Sequence, residues 1–462
     1  MGQLFRVYAR GRSGALWLSE ALLVVACYLA ASYAVLREEW EVFLLLDFGL
    51  ARIGFTVVMF LIGAYFVGLY DRIRVESRLY LIQQFCLAMG ISFLAQAATQ
   101  YARLPLGLPR RVMLLGSVSC LVLLPAWRVL YVGLILGSLP KERILFLGAS
   151  STVRELISHL GEHSELGLQC VGCVLPEGQQ DTEIPCALIG PLSRLREAVE
   201  ETKPDRLVVG LAERRRTLPI YELLDLRFSG VRIDDVASLY ETVFHRVCIN
   251  ELRPSQLVFT SALGPQRHNL QLQALYSTLI ALAGILLTWP LMILAAVAVK
   301  LSSPGPILFR QTRVGWQDRP FTLYKFRSMQ MDAEAETGAV WAQENDPRVT
   351  GPGRWLRLLR LDELPQLINV LRGEMAIVGP RPERPEFVRN LKQQIPFYNQ
   401  RHSVKPGITG WAQINYGYAS TFDDAARKLE YDLYYIKNVS AWLDFYIIFH
   451  TLRTMLTGQG AQ

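Results

Sequence analysis

The chain has 462 residues, room for two or three domains. Hydrophobic residues make up 51% and charged residues only 19%, too apolar a balance for an ordinary soluble protein of this size. The net charge of +7 suits a phosphate-bearing partner, and with no basic stripe interleaved with aromatics and no zinc-finger spacing, nucleic acid is not expected among the partners.

Four apolar stretches long enough to span a bilayer lie near residues 15–36, 53–70, 79–98 and 112–136. The first carries Glu20 but no small-residue cleavage site follows it, so it reads as an anchor rather than a removed signal. Arg6, Arg10 and Arg12, then Arg72, Arg74 and Arg78, then Lys141 and Arg143 fall on one side of four spans, which orients that side to the cytoplasm. The acidic loop with Glu38, Glu39, Glu41 and Asp47 fits outside, while Arg103, Arg110 and Arg111 run against the rule. Charges inside the spans are few and show no evident partners, so anchoring is the expected role.

From Lys141 the pattern changes to short apolar runs alternating with amphipathic helices. Strands are expected at 143–147, 170–175, 206–211 and 231–233, and helices at 152–160, 192–201 and 218–228. Such alternation implies a parallel sheet of Rossmann or flavodoxin type. Only Gly148 of a glycine fingerprint follows the first strand, so a scaffold or regulatory domain is expected rather than a cofactor site.

Of the seven cysteines, Cys27, Cys86 and Cys120 lie in apolar runs and read as packing residues. Cys170 and Cys173 form one C-x-x-C with Cys186 nearby; lacking a second ligand pair, they read as reduced thiols on a strand rather than a zinc site. His159 and His163 have metal-ligand spacing but no third ligand, so a solvated helix face is expected.

An apolar run near residues 270–299 is interrupted by Pro290. A straight span would place everything after Lys300 outside; a helix–break–helix hairpin would return it to the cytoplasm. Arg267 before the run and Lys300, Arg310 and Arg313 after it favour the hairpin, with Thr288 able to satisfy backbone groups freed at the bend.

Residues from about 306 to 436 are dense in arginine, carboxylates, glycine and proline. Lys325–Met329 follows a strand-like run. Asp346-Pro347-Arg348 leads to Gly351, Gly353 and Arg354, and Arg357 and Arg360 read as sharing a helix face. Pro365 suits a first helical turn, which puts Asp362 and Glu363 at or just before a helix N-terminus, where phosphate is favoured. Carboxylates beside a phosphate call for a divalent cation, and hard oxygen ligands suit Mg²⁺. Equally open on spacing alone is that the pair caps the helix and binds Arg357 or Arg360. Val378–Glu383 and Lys405–Trp411 are stiff turns, and the aromatic segments 431–435 and 441–456 suit either a membrane interface or a packed core.

Lys325–Met329, Asp346–Arg348, Asp362–Gln366, Asn369–Leu371, Val378–Glu383, Lys405–Trp411 and Gln413–Asn415 stand in an order that resembles the bacterial sugar transferase family, the monotopic phosphoglycosyl transferases, over about residues 270–460. The resemblance implies a membrane protein of α plus α/β class. Residues 1–140 would form a four-helix transmembrane bundle, 141–255 a Rossmann-like domain, and 256–462 a monotopic catalytic domain with a re-entrant helix at about 272–300. It also implies transfer of a sugar 1-phosphate from a UDP-sugar to polyprenyl phosphate, with UMP released, at the cytoplasmic face of the bacterial inner membrane. Asp362 matches the family's nucleophile and Glu363 the adjacent acid, expected to help hold Mg²⁺; Arg381 matches a phosphate-binding position, with Lys325, Arg327, Arg354 and Arg357 as further clamps. Arg360 stands where many members carry a small hydroxyl residue, which bears on the sugar rather than the reaction. The lipid bilayer, a homodimer and downstream polysaccharide assembly enzymes are the other partners the resemblance suggests.

Overall fold

A computed structural model describes residues 11–70, 78–102, 104–136, 141–163, 166–178, 184–211, 218–252, 264, 266–330, 348–417 and 421–457. Arg6, Arg10, Arg72, Arg74, Arg103 and Asp346-Pro347, used above for topology and motif, lie outside the described residues.

The N-terminal region is built from α1 (Gly11–Leu36), the short α2 (Trp40–Leu45), α3 (Gly49–Val67), α4 (Arg78–Tyr101) and α5 (Arg110–Leu130). Helices in these segments are long and apolar enough to cross a membrane. One stripe of each packs inward through residues such as Tyr28, Phe60, Phe85 and Leu124, while Leu22, Leu79, Leu94 and Val122 remain exposed for lipid. The expectation that charges here lack partners is corrected. Arg128 of α5 forms a two-pronged pair with Glu20 of α1, at 2.6 and 2.9 Å, and both side chains are fully buried. The Tyr70 hydroxyl donates to Glu20 at 2.8 Å and Arg128 to the Leu69 carbonyl at 3.0 Å. Arg128 is concealed in an apolar run, so spacing gives no hint of the pair. Cys27 and Cys120 are buried as expected, but Cys86 points outward.

The middle domain runs β1 (Glu142–Leu147), α6 (Ser151–Glu162), β2 (Leu168–Leu175), β3 (Leu188–Pro191), α7 (Leu195–Thr202), β4 (Arg206–Val209), α8 (Ile220–Phe228), β5 (Arg232–Asp235) and α9 (Val236–Phe244). The strands form one parallel sheet in the order β3-β2-β1-β4-β5, with an apolar cluster on each face. Strand β3 is too short, and α9 follows β5 too abruptly, to stand out in the sequence. Gly148 ends β1 at φ +100°, and a side chain there would collide with the Gly210 carbonyl. His159 and His163 stack at 4.0 Å, with Phe244 against His159, so they form a half-buried aromatic contact rather than a solvated face.

The third region begins with α10 (Arg267–Ser302), which continues as one helix through Pro290, so the interruption expected there is not seen. It continues through β6 (Leu308–Val314), β7 (Pro320–Phe326), α11 (Gly351–Leu358), α12 (Gln366–Leu371), β8 (Ala376–Val378), α13 (Pro385–Gln394), β9 (Gly407–Thr409), α14 (Trp411–Asn415), α15 (Phe422–Lys437) and α16 (Ala441–Thr457). Strands β6 and β7 form a hairpin-like antiparallel pair, and β8 and β9 pair in parallel. The core gathers Val378, Trp411, Leu433, Tyr435 and Ile447, which makes α15 a core helix. Helix α16 buries Leu443 and Ile447 in the same core and also reaches the membrane region, with Phe449 against Tyr65 and Phe66 of α3 at 4.7 and 5.0 Å.

Both flanks of α10 are fastened to this one region. On its first half, Asn269 donates to the Val439 carbonyl and Gln273 to Asp444, at 2.8 and 2.7 Å. On the far side, Arg327 holds the carbonyls of Ser303 and Pro304, each at 2.8 Å. Between them Leu286, Leu287, Ile293 and Leu294 are exposed. Thr288 donates to the Gly284 carbonyl at 2.7 Å, not to the Leu286 carbonyl that Pro290 deprives of its helical donor, which corrects the role expected for it.

Candidate active site

Asp362 and Glu363 occupy a single 3₁₀ turn, Leu361–Glu363, between α11 and α12. Two apolar neighbours pin the turn. Leu361 and Leu364 pack into a cluster with Ala295 and Val299 of α10, Phe326 of β7 and Leu356 of α11. Arg360, immediately before it, sits at φ +51°, a left-handed conformation that costs a non-glycine residue about 1 kcal/mol. That reversal ends α11 at Leu358, so Arg357 and Arg360 do not share a helix face as the spacing suggested.

The carboxylates sit in different surroundings. Glu363 Oε1 accepts from Lys325 Nζ at 2.8 Å and from Arg381 at 3.2 Å. Burial would push its carboxyl up, but the charges of Lys325 and Arg381 overcome this and hold Glu363 well below the ordinary range. Asp362 is 8% exposed. Burial, reinforced by the neighbouring Glu363 charge, pushes its carboxyl up against the pull of Lys325. Neither side chain caps α12, whose N-terminal boundary is Pro365. With six residues, α12 has too few aligned peptides for much of a dipole, so side-chain cations carry the electrostatics that the sequence assigned partly to a helix end.

The structure thus brings together Lys325, Asp362, Glu363 and Arg381 from three separate motifs. Arg357 stands close by, its Nε donating to Ser328 Oγ at 2.9 Å. Arg354 lines the wall of an apolar cleft of about 630 Å³, formed with Leu291, Leu294, Ala298, Trp355 and Leu361. Arg327 is the departure. It is 6% exposed and spends both terminal nitrogens on the carbonyls that close α10, so it fastens a helix rather than facing the carboxylates.

Three supports were not read from the sequence. Arg401 is buried, pairs with Asp432 at 3.0 Å and donates to the Arg381 carbonyl at 2.9 Å, holding the Pro-Arg-Pro turn from behind. Asn369 donates to the Thr322 carbonyl and to Glu374, and accepts from the Tyr324 N–H, locking α12 to the strand that carries Lys325. Gly379 and Gly407 let β8 and β9 approach so closely that a Cβ on either would strike the other's backbone. For Arg401 no local pattern exists; its partner lies 31 positions later in an aromatic run.

Two carboxylates, one buried and one charge-neutralised by two cations, fit a divalent cation shared with a diphosphate, since Mg²⁺ is held through one or two carboxylates with phosphate and water completing its shell. Glu363 Oε1 is taken by Lys325 and Arg381, which leaves Oε2 for such an ion.

A family model described as bacterial sugar transferase matches residues 268–458, across the whole of this site. The chain is 48% identical over 227 residues to a UDP-N-acetylgalactosamine-undecaprenyl-phosphate N-acetylgalactosaminephosphotransferase of Aeromonas hydrophila, covering 49% of this chain and 53% of that protein. It is 34% identical over 318 residues to a UDP-glucose:undecaprenyl-phosphate glucose-1-phosphate transferase of Xanthomonas campestris pv. campestris, covering 66% and 65%. A protein of the same description from Klebsiella pneumoniae matches at 34% over 319 residues, covering 68% and 67%. The match to the first two spans about half to two thirds of their length. On these likenesses, which extend upstream of the site as well as through it, the chain belongs to the bacterial sugar transferase family.

Proposed function

We propose that the protein transfers a sugar 1-phosphate from a UDP-sugar to undecaprenyl phosphate and releases UMP, with Asp362 as the covalent nucleophile. The observation that carries this is the contrast within the carboxylate pair: Glu363 is neutralised by Lys325 and Arg381, while Asp362 is buried beside them and makes no ion pair among the described residues. Family membership and the names of the relatives support the substrate classes.

Asp362 attacks the phosphorus that bears the sugar. An O–P bond forms to the carboxylate, the bridging P–O bond breaks, and UMP leaves. The phosphate oxygen of the lipid then attacks the same phosphorus and the Asp362 carboxylate departs. Splitting the transfer lets one site serve two substrates in turn. Lys325 and Arg381 orient the diphosphate and offset its charge. Asp362 and Glu363 are the residues that would hold Mg²⁺, which supplies charge neutralisation of the diphosphate.

The membrane geometry fits the lipid acceptor. Because both flanks of α10 are fastened to one region, we read α10 as dipping into the bilayer and returning, with α1, α3, α4 and α5 as a transmembrane bundle and the site on the cytoplasmic face of the inner membrane. The apolar cleft beside Leu361 is the natural seat for the lipid chain, with Arg354 at its wall.

The test is nucleotide release by the purified chain with Mg²⁺ and UDP-glucose, UDP-galactose or UDP-N-acetylgalactosamine, with and without undecaprenyl phosphate. Multiple-turnover UMP release that requires the lipid is the expected result. UDP release, or turnover retained in Asp362→Asn, would sink the proposal.

A further inference from the structure

Helix α15 carries two polar stripes with different partners. Arg427, Glu430, Tyr434 and Lys437 recur at steps of three and four residues, so they form one stripe, and it meets the middle domain. Arg427 donates to Glu155 of α6 at 2.9 Å and to the Tyr240 hydroxyl of α9 at 3.2 Å. Glu430 accepts from that hydroxyl at 3.2 Å and lies 3.3 Å from Arg246, which also pairs with Glu155. Lys437 pairs with Glu241 of α9 at 2.7 Å. The other stripe holds Asp432 and Tyr435. Asp432 pairs with Arg401, which donates to the Arg381 carbonyl, and the Tyr435 hydroxyl donates to the Val378 carbonyl at 3.2 Å. One helix therefore has the middle domain on one side and the backbone of the 378–381 turn on the other.

We propose that the middle domain positions Arg381 through α15, with Arg246 and Glu155 as the positioning residues; this rests on the role given to Arg381 above. The side chains of Arg246 and Glu430 are only 8% and 10% exposed. Buried ion pairs add little net stability, because desolvation offsets their attraction, but a partner left alone is costly. Such a pair therefore fixes the register in which two surfaces dock. The register set at Arg427 and Glu430 passes along the helix to Asp432 and Tyr435, less than two turns away. Those two residues reach the turn, Tyr435 directly and Asp432 through Arg401.

Arg381 already meets Glu363 at 3.2 Å, so its guanidinium stands at the carboxylate pair and its placement matters to the reaction. A misplacement of about 1 Å in such a group costs about 10²-fold in rate. The middle domain thus has a route to the reaction that needs no chemistry of its own. Whatever shifts its seat on α15 changes how well Arg381 meets a diphosphate, without entering the site.

The test measures kcat/KM for UMP release by the full chain in detergent, in Arg246→Met, Arg381→Ala and the double variant. Arg246→Met should lower kcat/KM by about tenfold, the scale of remote couplings. The double variant should be no slower than Arg381→Ala alone, because both changes act on one group. Glu155→Gln keeps the side-chain shape and should show the same pattern at smaller size, which guards against misfolding of Arg246→Met. In parallel, deuterium exchange of the amides at 378–384 should quicken in both Arg246→Met and Glu155→Gln, with α1 and α5 exchanging as in the parent. Losses that multiply in the double variant, or unchanged exchange at 378–384 in folded variants, overturn the proposal. The exchange arm needs no turnover, so it decides the coupling even where no UMP is released, a result that would count against the function proposed above.

Discussion

The carboxylate pair makes a signed prediction about pH. As the proposed nucleophile, Asp362 must be ionised to react, and its carboxyl is raised by burial and by the Glu363 charge. The acid limb of kcat/KM should therefore lie above the ordinary aspartate range of about 3.9. Glu363→Gln removes a charge that raises Asp362, so the limb should move to lower pH even as the rate falls. Lys325→Met removes a charge that lowers it, so the limb should move to higher pH. Limbs that stay put in both variants would detach the profile from Asp362. Arg327 should behave differently from Arg381. Arg381→Ala is expected to lower kcat/KM by about 10²-fold with folding intact, as losing a charged donor to phosphate implies. Arg327→Met should instead lower the melting temperature, because it strips the carbonyls of Ser303 and Pro304 of their charged donor, about 1.5–3 kcal/mol for each bond. The two arginines look alike in the sequence, since both sit in basic motifs with proline or serine neighbours. What separates them is which backbone lies within reach, and that is set by α10 some two dozen residues away.

At the scale of elements, α10 is the feature on which topology turns. Pro290 removes one helical hydrogen bond and favours a bend. Pro290→Ala restores the donor and favours a straight rod. Single cysteines placed at 266 and 306 in a cysteine-free chain should be labelled from one side in the parent and from opposite sides in a fraction of the Pro290→Ala protein. Labelling of the parent from opposite sides would contradict the dipping helix. The alternation of the middle sheet was legible because its strands are apolar runs bounded by clear breaks. A one-residue bulge in β2, where Cys170 pairs with Ile144 and Gly172 with Leu145 so that Val171 is extra, was not, because an extra residue leaves composition unchanged and is seen only in the register with β1. The motifs around Asp362 were legible in order but not in assembly: Lys325 and Glu363 meet across 38 positions, and Arg381 joins them from 18 positions farther on.

Across the whole molecule, one polar network ties the membrane helices to each other and another ties two regions together. In the membrane region, Glu20 and Arg128 join the first and last long helices in a buried pair. Removing one partner leaves a lone buried charge, so Glu20→Ala should destabilise by about 3–5 kcal/mol. Replacing both by leucine should recover most of the loss, measured by thermal unfolding in detergent; equal damage in the single and double variants would show the pair is not the cause. Between the middle domain and the site-bearing region, Glu155 of α6 accepts from Arg246 and from Arg427 of α15, and Arg246 also faces Glu430 of α15. The Trp411 indole donates to the His245 carbonyl at 2.9 Å beside them. No single segment announces this junction, because its charges are spread over nearly 280 positions and look like ordinary helix surface.

The double fastening of α10 bears on how the reaction is measured. On the function proposed above, a site held against the bilayer by a segment it cannot release meets its lipid partner by lateral diffusion in two dimensions. The relevant concentration is then the mole fraction of undecaprenyl phosphate in the membrane or micelle, not its amount per volume. Adding inert detergent or phospholipid at constant total acceptor should slow turnover in proportion to the dilution of the surface, while diluting the whole mixture with buffer should leave the lipid-dependent step unchanged.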